Sequence, residues 1–192
     1  MKIEITQEKD NKLNFKLSGS EVSVANAIRR YAMNAIPIFA IDEVTFYDNT
    51  SVFFDEYIAQ RIGLIPIITP SDVQKDTEVT FYLDANGPKV VYSSEFETKD
   101  KKIKVAKDKI PIITLLDNQI LRVEGKARLA TAKKHAKFQA GFAAYEITED
   151  GCNFTVESFF QMPPRELMIR AATILVEDLK NFENQLNKIK KT

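Results

Sequence analysis

Alternation of apolar and polar residues at the start of the chain predicts a β-hairpin. The residues from Lys2 to Thr6 and from Lys12 to Leu17 alternate in this way, and Leu13, Phe15 and Leu17 fall on one face. Similar alternation, or a short apolar run between turn residues, predicts further strands along most of the chain. These strands span residues 38–47, 79–83, 89–92, 120–124, 142–147 and 153–157.

Two shorter segments instead repeat their apolar residues at helical spacing. The first helix is expected from about Glu21 to Ala35, with Ser20 as its cap. The second is expected from Asp55 to Ile62, and Gly63 is expected to end it in the left-handed conformation. The apolar face of the first helix consists of Val24, Ile28, Tyr31, Ala32 and Ala35.

A third and longer helix is predicted at the end of the chain, opened by Pro163 and Pro164. Its apolar stripe spans about twenty-eight residues, or roughly 40 Å at 1.5 Å per residue, which is more than a small sheet covers. An exposed stripe usually marks a partner surface, so we predict that its last members bind a partner. The alternative is that the helix frays in solvent from Asn181 onward. The stripe consists of Leu167, Ala171, Leu175, Leu179, Phe182, Leu186 and Ile189, and the partner-binding members are Phe182, Leu186 and Ile189.

The composition is that of an ordinary soluble protein and narrows the possible functions. The 192 residues include 27 basic and 27 acidic side chains, so the formal charge is zero, whereas free-standing nucleic-acid binders are usually basic. The single cysteine, Cys152, excludes an intrachain disulfide and a cysteine cluster. No leader is evident after Met1, and no apolar run approaches the length of a membrane span, so a cytoplasmic protein is expected.

The side of the first helix opposite its apolar face has a cluster of longer side chains. Asn26, Arg29, Arg30 and Met33 lie three or four residues apart. Such a side is usually a solvated face. Two neighbouring arginines with an asparagine one turn away also suit recognition of carboxylates and carbonyls by guanidinium groups. Spacing alone leaves both interpretations open.

Three other features invite a chemical role, and each has a simpler explanation. Asp55 and Glu56 are adjacent on a helix and do not face each other, so helix capping is favoured over acid–base or metal chemistry. His135, the only histidine, lacks an accompanying nucleophile motif and is expected to be exposed. The run from Lys101 to Lys109 is expected to form a solvated loop, with a phosphate contact as the alternative.

Four blocks of the sequence resemble the α-like assembly subunits of cellular RNA polymerases. This family includes the archaeal α-like chain known as D, the third-largest subunit of eukaryotic RNA polymerase II and, more distantly, bacterial α. Bacterial α fits less well because it lacks the Asp-Glu-x-Ile-Ala block in this form. The blocks are Asn26-Ala-Ile-Arg-Arg30, Asn49 to Pro66, Lys133-Lys-His-Ala-Lys-Phe138, and Phe154 to Ser158 with the proline pair and helix that follow.

The resemblance implies an α+β fold in two parts. Residues 1–47 and 153–192 would form a discontinuous dimerisation module, an antiparallel sheet with the first and last helices on it. Residues 48–152 would form a β-rich domain inserted into that module. The order of the predicted elements permits this arrangement, but the domain assignment comes from the resemblance.

The resemblance also implies a non-catalytic assembly subunit of DNA-directed RNA polymerase, the nucleotidyltransferase of transcription. Asn26, Arg29 and Arg30 match the residues with which the family contacts the large catalytic subunit. The implied partners are the small α-like subunit L, which would form a heterodimer with this chain, the second-largest subunit, and the small zinc-binding subunits N and P. The chain itself would supply no catalytic group and would make no sequence-specific contact with DNA.

No cofactor is expected. Many archaeal members of the family have a cysteine-rich, ferredoxin-like insertion near the position of Cys152, but Glu149 to Asn153 leaves room only for a short turn. The zinc loop of the eukaryotic counterpart is missing as well. One cysteine and one histidine cannot supply the ligands of a structural zinc site or of a standard iron–sulfur cluster.

Two other classes of protein are kept as alternatives. A stand-alone small α+β enzyme or binding protein would need a convergent polar site, and the sequence offers none that is recognisable. A nucleic-acid-binding module would use the lysines in 101–109 and 126–137, which the neutral overall charge disfavours.

Overall fold

The computed structural model describes residues 1–74 and 76–189, and these fold into two compact units. The first unit comprises Met1–Ile36, Thr131–Lys133 and Gln139–Thr192, and the second comprises Pro37–Ala130 and Lys134–Phe138. Residues 190–192, which the predicted dimerisation module includes, lie outside the described residues. The strands are β1 (Lys2–Lys9), β2 (Lys12–Ser18), β3 (Ile38–Asn49), β4 (Glu78–Asn86), β5 (Lys89–Tyr92), β6 (Glu97–Thr98), β7 (Pro111–Leu115), β8 (Ile120–Ala130), β9 (Gly141–Thr148) and β10 (Gly151–Ser158), and the helices are α1 (Val22–Asn34), α2 (Asp55–Gly63) and α3 (Pro164–Ile189).

The first unit is an antiparallel sheet with α1 and α3 packed on one face. Its strands follow the order β1-β2-β10-β9. Phe15 of β2 and Phe154 of β10 are paired in register, and their rings stack with centroids 4.8 Å apart. Successive residues of a strand point to opposite faces, so the alternating pattern places one set of side chains under the helices. The buried members of that set are Leu13, Phe15, Leu17, Cys152, Phe154 and Val156.

The second unit is built around a sheet with the order β3-β8-β4-β6, accompanied by the two-stranded pair β5-β7. Its core is larger than that of the first unit because both sheets and α2 contribute to it. Ile58 and Ile62 of α2 are fully buried, one turn apart on the same side of the helix. Phe81, at the centre of β4, is also fully buried.

The predicted α+β class, the opening hairpin and the long final helix are confirmed. The details of the helix ends are wrong. α1 starts at Val22 with Glu21 as its N-cap residue, and Ser20 makes no capping bond. The N-cap residue of α2 is Phe54, again without a side-chain cap. Gly63 is the last right-handed residue of α2, where a Cβ would lie 3.3 Å from the Ile41 carbonyl oxygen, so close backbone approach explains the glycine better than a left-handed turn.

The two compact units have other boundaries than those predicted at residues 47 and 153. β3, which lies in the predicted dimerisation module, pairs with β8 along its length and belongs to the second unit. β9, which lies in the predicted inserted domain, pairs with β10 and belongs to the first unit. Strand periodicity identifies a strand but not its neighbour, so hydrogen-bonded partners decide the membership.

Candidate functional site

Clusters of metal-ligating side chains are absent from the described residues. No group of three or more histidine, cysteine, aspartate or glutamate side chains is placed to hold a metal ion within residues 1–74 and 76–189. In the same part of the chain, none of the helices combines the length and apolarity that crossing a membrane requires. The candidate sites are therefore surfaces.

A stripe of exposed apolar side chains runs along α3. Phe182, Leu186 and Ile189 are 62%, 45% and 71% exposed, so the predicted partner-binding residues lie at the surface. They end a run of apolar residues with alternating spacings of four and three, which is typical of helices that pack lengthwise against another helix. This run, here called the α3 stripe, consists of Met168, Ala172, Leu175, Leu179, Phe182, Leu186 and Ile189.

The apolar stripe predicted from sequence combines two rows of residues, one that faces the core and one that is exposed. Leu167 and Ala171 are fully buried within the first unit, so they serve its own core. Ile169 and Val176, which the prediction omitted, are exposed beside the α3 stripe. Two turns of a straight helix take slightly more than seven residues. Residues spaced seven apart therefore drift slowly around the helix, and the row that faces the core near its start differs from the exposed row near its end.

The α3 stripe continues into an apolar cavity of about 260 Å³ next to the strand β1. The cavity is lined by the exposed side chains of Met1, Ile3 and Ile5, and Ala172 belongs both to it and to the stripe. Arg165 is the one charged residue of this lining within the described part of the chain. Small-molecule sites usually combine apolar walls with a few placed polar groups, so this cavity suits the apolar side chains of a protein partner.

The polar side of α1 divides into two environments. Arg29 is half-buried and donates a hydrogen bond from Nη2 to Asn26 Oδ1 at 3.0 Å, and its Nη1 lies 3.5 Å from the Met33 sulfur. Asn26 and Arg29 line one shallow cleft together with residues of β9. Arg30 is exposed and lines a second cleft with Lys133. The structure thus brings Asn26 and Arg29 together and places Arg30 in different surroundings.

The block from Asp55 to Pro66 ties α2 to the rest of the second unit. The side chain of Arg61 donates hydrogen bonds from Nε to the Ile112 carbonyl at 2.8 Å and from Nη2 to the Pro111 carbonyl at 2.6 Å. These charge-assisted hydrogen bonds satisfy two carbonyls of β7. The arginine of this block therefore stabilises the unit, and the acidic pair at the start of the helix lies in the first turn, where the helix dipole favours it.

An exposed aromatic patch precedes this block and is absent from the sequence-based predictions. Phe53 and Tyr57 stack with ring centroids 4.9 Å apart, and the Arg61 guanidinium lies 5.9 Å from the centroid of Tyr57. Phe54 is 81% exposed, and Val52 beside it is 76% exposed. The signal in the sequence is the apolar run just before an acidic helix start. This run could have been predicted to be exposed, because the later residues of α2 are enough to fill the core.

The segment around His135 is held by an ion-pair cluster on Asp42. His135 itself is exposed, as predicted. Lys134 Nζ lies 2.5 Å and Lys137 Nζ 2.7 Å from the two carboxylate oxygens of Asp42, whose side chain is 14% exposed. Phe138 is fully buried. The block Lys-Lys-His-Ala-Lys-Phe thus acts as a structural clasp: Lys134 and Lys137 bind Asp42, and His135 Nδ1 accepts a hydrogen bond from the Lys137 amide at 3.1 Å.

The stability of the second unit should depend on Asp42 above about pH 4. Burial acts to raise the pKa of this carboxyl, but hydrogen bonds from Lys134 and Lys137 and their charges outweigh it and hold the pKa below its ordinary value. A lowered folded-state pKa adds stability above the unfolded pKa of about 3.9, and that stability is lost as the pH falls through the folded value. We expect Asp42→Asn to lower the free energy of unfolding at neutral pH by about 1–3 kcal/mol and to remove this acid dependence.

Chemical denaturation followed by circular dichroism between neutral and acidic pH measures this effect. Asp72→Asn is the matched control, because Asp72 pairs with Lys102 at 2.9 Å with both side chains well exposed. Its stability should equal that of the wild type within error. Equal stability of the Asp42 variant and this control would show that the clasp is not stabilising.

The lysine run and the cysteine offer little chemistry. Lys102 is paired with Asp72, and Lys101, Lys104 and Lys109 are exposed, as expected of a solvated loop. Cys152 lies in β10 rather than in a turn and is buried. The connection between β9 and β10 is a two-residue turn of Glu149 and Asp150.

Comparison with known proteins identifies relatives along most of the chain. Residues 32–144 match the family described as the RNA polymerase Rpb3/RpoA insert domain. The chain is 40% identical to DNA-directed RNA polymerase subunit Rpo3 of Pyrococcus furiosus over 76% of its own length and 59% of that relative. It is 39% identical to Rpo3 of Archaeoglobus fulgidus over 79% of its length and 64% of the relative. It is also 38% identical to Rpo3 of Methanocaldococcus jannaschii over 88% of its length and 87% of the relative.

Proposed function

This chain belongs to the family of DNA-directed RNA polymerase subunit Rpo3, and from that premise we propose that it is a non-catalytic assembly subunit of the enzyme. The observation that supports this best is the α3 stripe, whose last three members are exposed at the surface of the first unit. A scaffold function needs surfaces rather than reactive groups. In this proposal the chain works in the cytoplasm without a cofactor of its own.

The first proposed partner is the small α-like subunit L, which would form a heterodimer through the α3 stripe. A helix of the partner lying along the stripe would cover Phe182, Leu186 and Ile189, and other apolar side chains would enter the cavity beside β1. Each of the three side chains could contribute roughly 1.5–3 kcal/mol if fully buried. Association costs several kcal/mol before any net affinity appears, so a surface of this length is needed.

The second-largest catalytic subunit is the next proposed partner, and Asn26, Arg29 and Arg30 would form its docking site. Arg29 uses some of its donors on Asn26 and Met33, but a guanidinium has five N–H groups, so donors remain for a partner carboxylate or carbonyl. Arg30 is free to reach out from the neighbouring cleft. The small zinc-binding subunits N and P complete the proposed assembly.

Replacing Arg29 and Arg30 together with alanine should weaken capture of the second-largest subunit by about 1.5 kcal/mol or more, roughly tenfold or greater. Secondary structure and pairing with subunit L should be unaffected, because Arg29 is only half-buried, Arg30 is exposed, and neither belongs to the α3 stripe. Capture is measured by mixing the purified heterodimer with the purified large subunit and determining the dissociation constant.

The matched control removes two lysines from the outer face of the sheet. Lys12 and Lys16 form surface ion pairs with Glu157 and Asp150, so their double alanine variant makes the same change in charge elsewhere on the unit. It should bind the large subunit like the wild type. If the arginine variant unfolds instead, the arginines belong to the framework and the docking site is misassigned.

A nucleic-acid-binding module is the competing function, and the paired charges of the described surface disfavour it. Arg122 and Arg128 are each bound to two carboxylates of neighbouring strands, and Lys102 is bound to Asp72. Because these side chains are already paired with carboxylates of the protein, they are not available to neutralise phosphates. Tight binding of duplex DNA that weakens steeply with salt would favour the competing function.

A further inference from the structure

One edge of the sheet in the first unit is open and unprotected. β9 is the last strand in the order β1-β2-β10-β9, and no strand of the described residues pairs with its outer side. The opposite edge strand, β1, has a bulge between Ile5 and Gln7 and is rich in charged residues. β9 pairs with β10 without a bulge, contains no proline and has a single charged residue, Glu146. Exposed edges normally have such protection because they attract other strands, so its absence on β9 points to a strand that covers this edge.

The backbone groups that face the open edge can be identified. The Phe159 amide donates a hydrogen bond to the Ala140 carbonyl at 3.0 Å, immediately before β9 begins. Hydrogen-bonded and non-hydrogen-bonded positions alternate in an antiparallel pair. The even-numbered residues of β9 therefore bond to β10. The N–H and C=O groups of Ala143, Tyr145 and Ile147 are directed to the open edge.

A shallow cleft follows this edge. Phe142, near one end of the cleft, is 47% exposed, and Ile147, near the other end, is 62% exposed. Asn26 and Arg29 of α1 also line the cleft. Successive residues of a strand point to opposite faces, so a cleft lined by neighbouring residues runs along the backbone edge rather than over one face. The residues of β9 that line the cleft are Phe142, Ala143, Ala144, Tyr145 and Ile147.

We propose that the open edge of β9 binds an extended segment of the second-largest subunit as a fifth strand. The proposal rests on the proposed function, since Asn26 and Arg29 belong to the docking site assigned there. Main-chain hydrogen bonds to Ala143, Tyr145 and Ile147 supply the affinity, as in other cases of strand addition. The remaining donors of Arg29 select an acidic side chain in the segment, and Phe142 contacts an apolar one.

Amide hydrogen exchange of the full chain, alone and with the purified second-largest subunit, tests the proposal. Exchange at Ala143, Tyr145 and Ile147 should slow at least tenfold in the complex, whereas Ala144 and Glu146 are already bonded to β10 and should change little. Binding that depends on Arg29 but leaves the three amides unprotected overturns the added strand and leaves the proposed function standing. Failure of the two proteins to bind overturns both.

A substitution of one edge amide gives a second test. Ile147→Pro removes an outward N–H at an exposed position without removing a hydrogen bond to β10. It should weaken binding of the large subunit at least tenfold and leave pairing with subunit L unchanged. Ile147→Ala loses the same side chain but keeps the N–H, so it measures how much of the loss comes from the side chain. Glu146→Gln, which lies outside the lining of the cleft, is the neutral control. Wild-type affinity of the proline variant, with exchange confirming that it is folded, would overturn the proposal.

Discussion

Replacing Phe182 and Leu186 together with glutamate should abolish pairing with the small α-like subunit while the chain stays folded. Both side chains are largely exposed in the free chain, so the new charges cost it little. In the proposed heterodimer the same charges would be buried against an apolar helix without partners, which is expensive. We expect the affinity to fall at least a hundredfold, which is about 2.7 kcal/mol. Analytical ultracentrifugation and calorimetry measure the pairing, and circular dichroism checks the fold.

The control places the same pair of charges on the other side of the helix. Lys180→Glu with Asn184→Glu has the same spacing of four residues, but these positions lie away from the α3 stripe. This variant should pair like the wild type. Truncation after Lys180 is an independent check, since it removes Phe182, Leu186 and Ile189 at once. Unchanged pairing after the glutamate substitutions or the truncation would mean that the stripe is not the dimer contact.

Substitution of Phe81 by alanine should destabilise the second unit by about 3–5 kcal/mol. Phe81 is fully buried in β4, among core residues from β8, α2 and the β5-β7 pair. Removing the ring loses the free energy gained by burying it, and it leaves a cavity that the close-packed neighbours cannot fill. Urea denaturation followed by circular dichroism, with amide exchange of β4 and β8 as a local probe, measures the loss.

Tyr82→Ala is the control for this experiment, because it truncates an aromatic ring at the next position of the same strand. Tyr82 is 44% exposed on the opposite face of the sheet, so its loss should cost less than about 1 kcal/mol. A loss at Phe81 no larger than that at Tyr82 would contradict the assignment of the core to the inner face of this sheet.

Local periodicity was enough to find most of the elements. β2 and β10 alternate cleanly because each has one face under the helices and one face in solvent, which is the case in which sequence pattern and burial agree. In the second unit the predicted strands correspond to β3, β4, β5 and β8, of which all but β5 extend further than predicted, whereas β6 and β7 are absent from the predictions. Periodicity cannot supply the identity of the neighbouring strand, and for that reason the compact units differ from the predicted domains at β3 and β9.

The candidate site was predictable where it depends on one element and not where it depends on several. The exposed end of α3 follows from a helix longer than its sheet. The separation of Arg29 from Arg30 does not follow from spacing, because it depends on β9 and Lys133 packing on different sides of α1. The open edge of β9 likewise becomes visible only when the order of the strands is known.

The sheet of the first unit joins parts of the chain that are made at very different times. Leu17 pairs with Cys152, and the whole second unit lies between them in the sequence. A growing chain therefore displays the apolar face of β2 on the ribosome throughout the synthesis of the second unit, since Phe15 has no Phe154 to stack on until β10 emerges. Such sequence-distant pairing is slow to form and prone to aggregation. The synthesis of β10 therefore decides when the apolar face of β2 is protected.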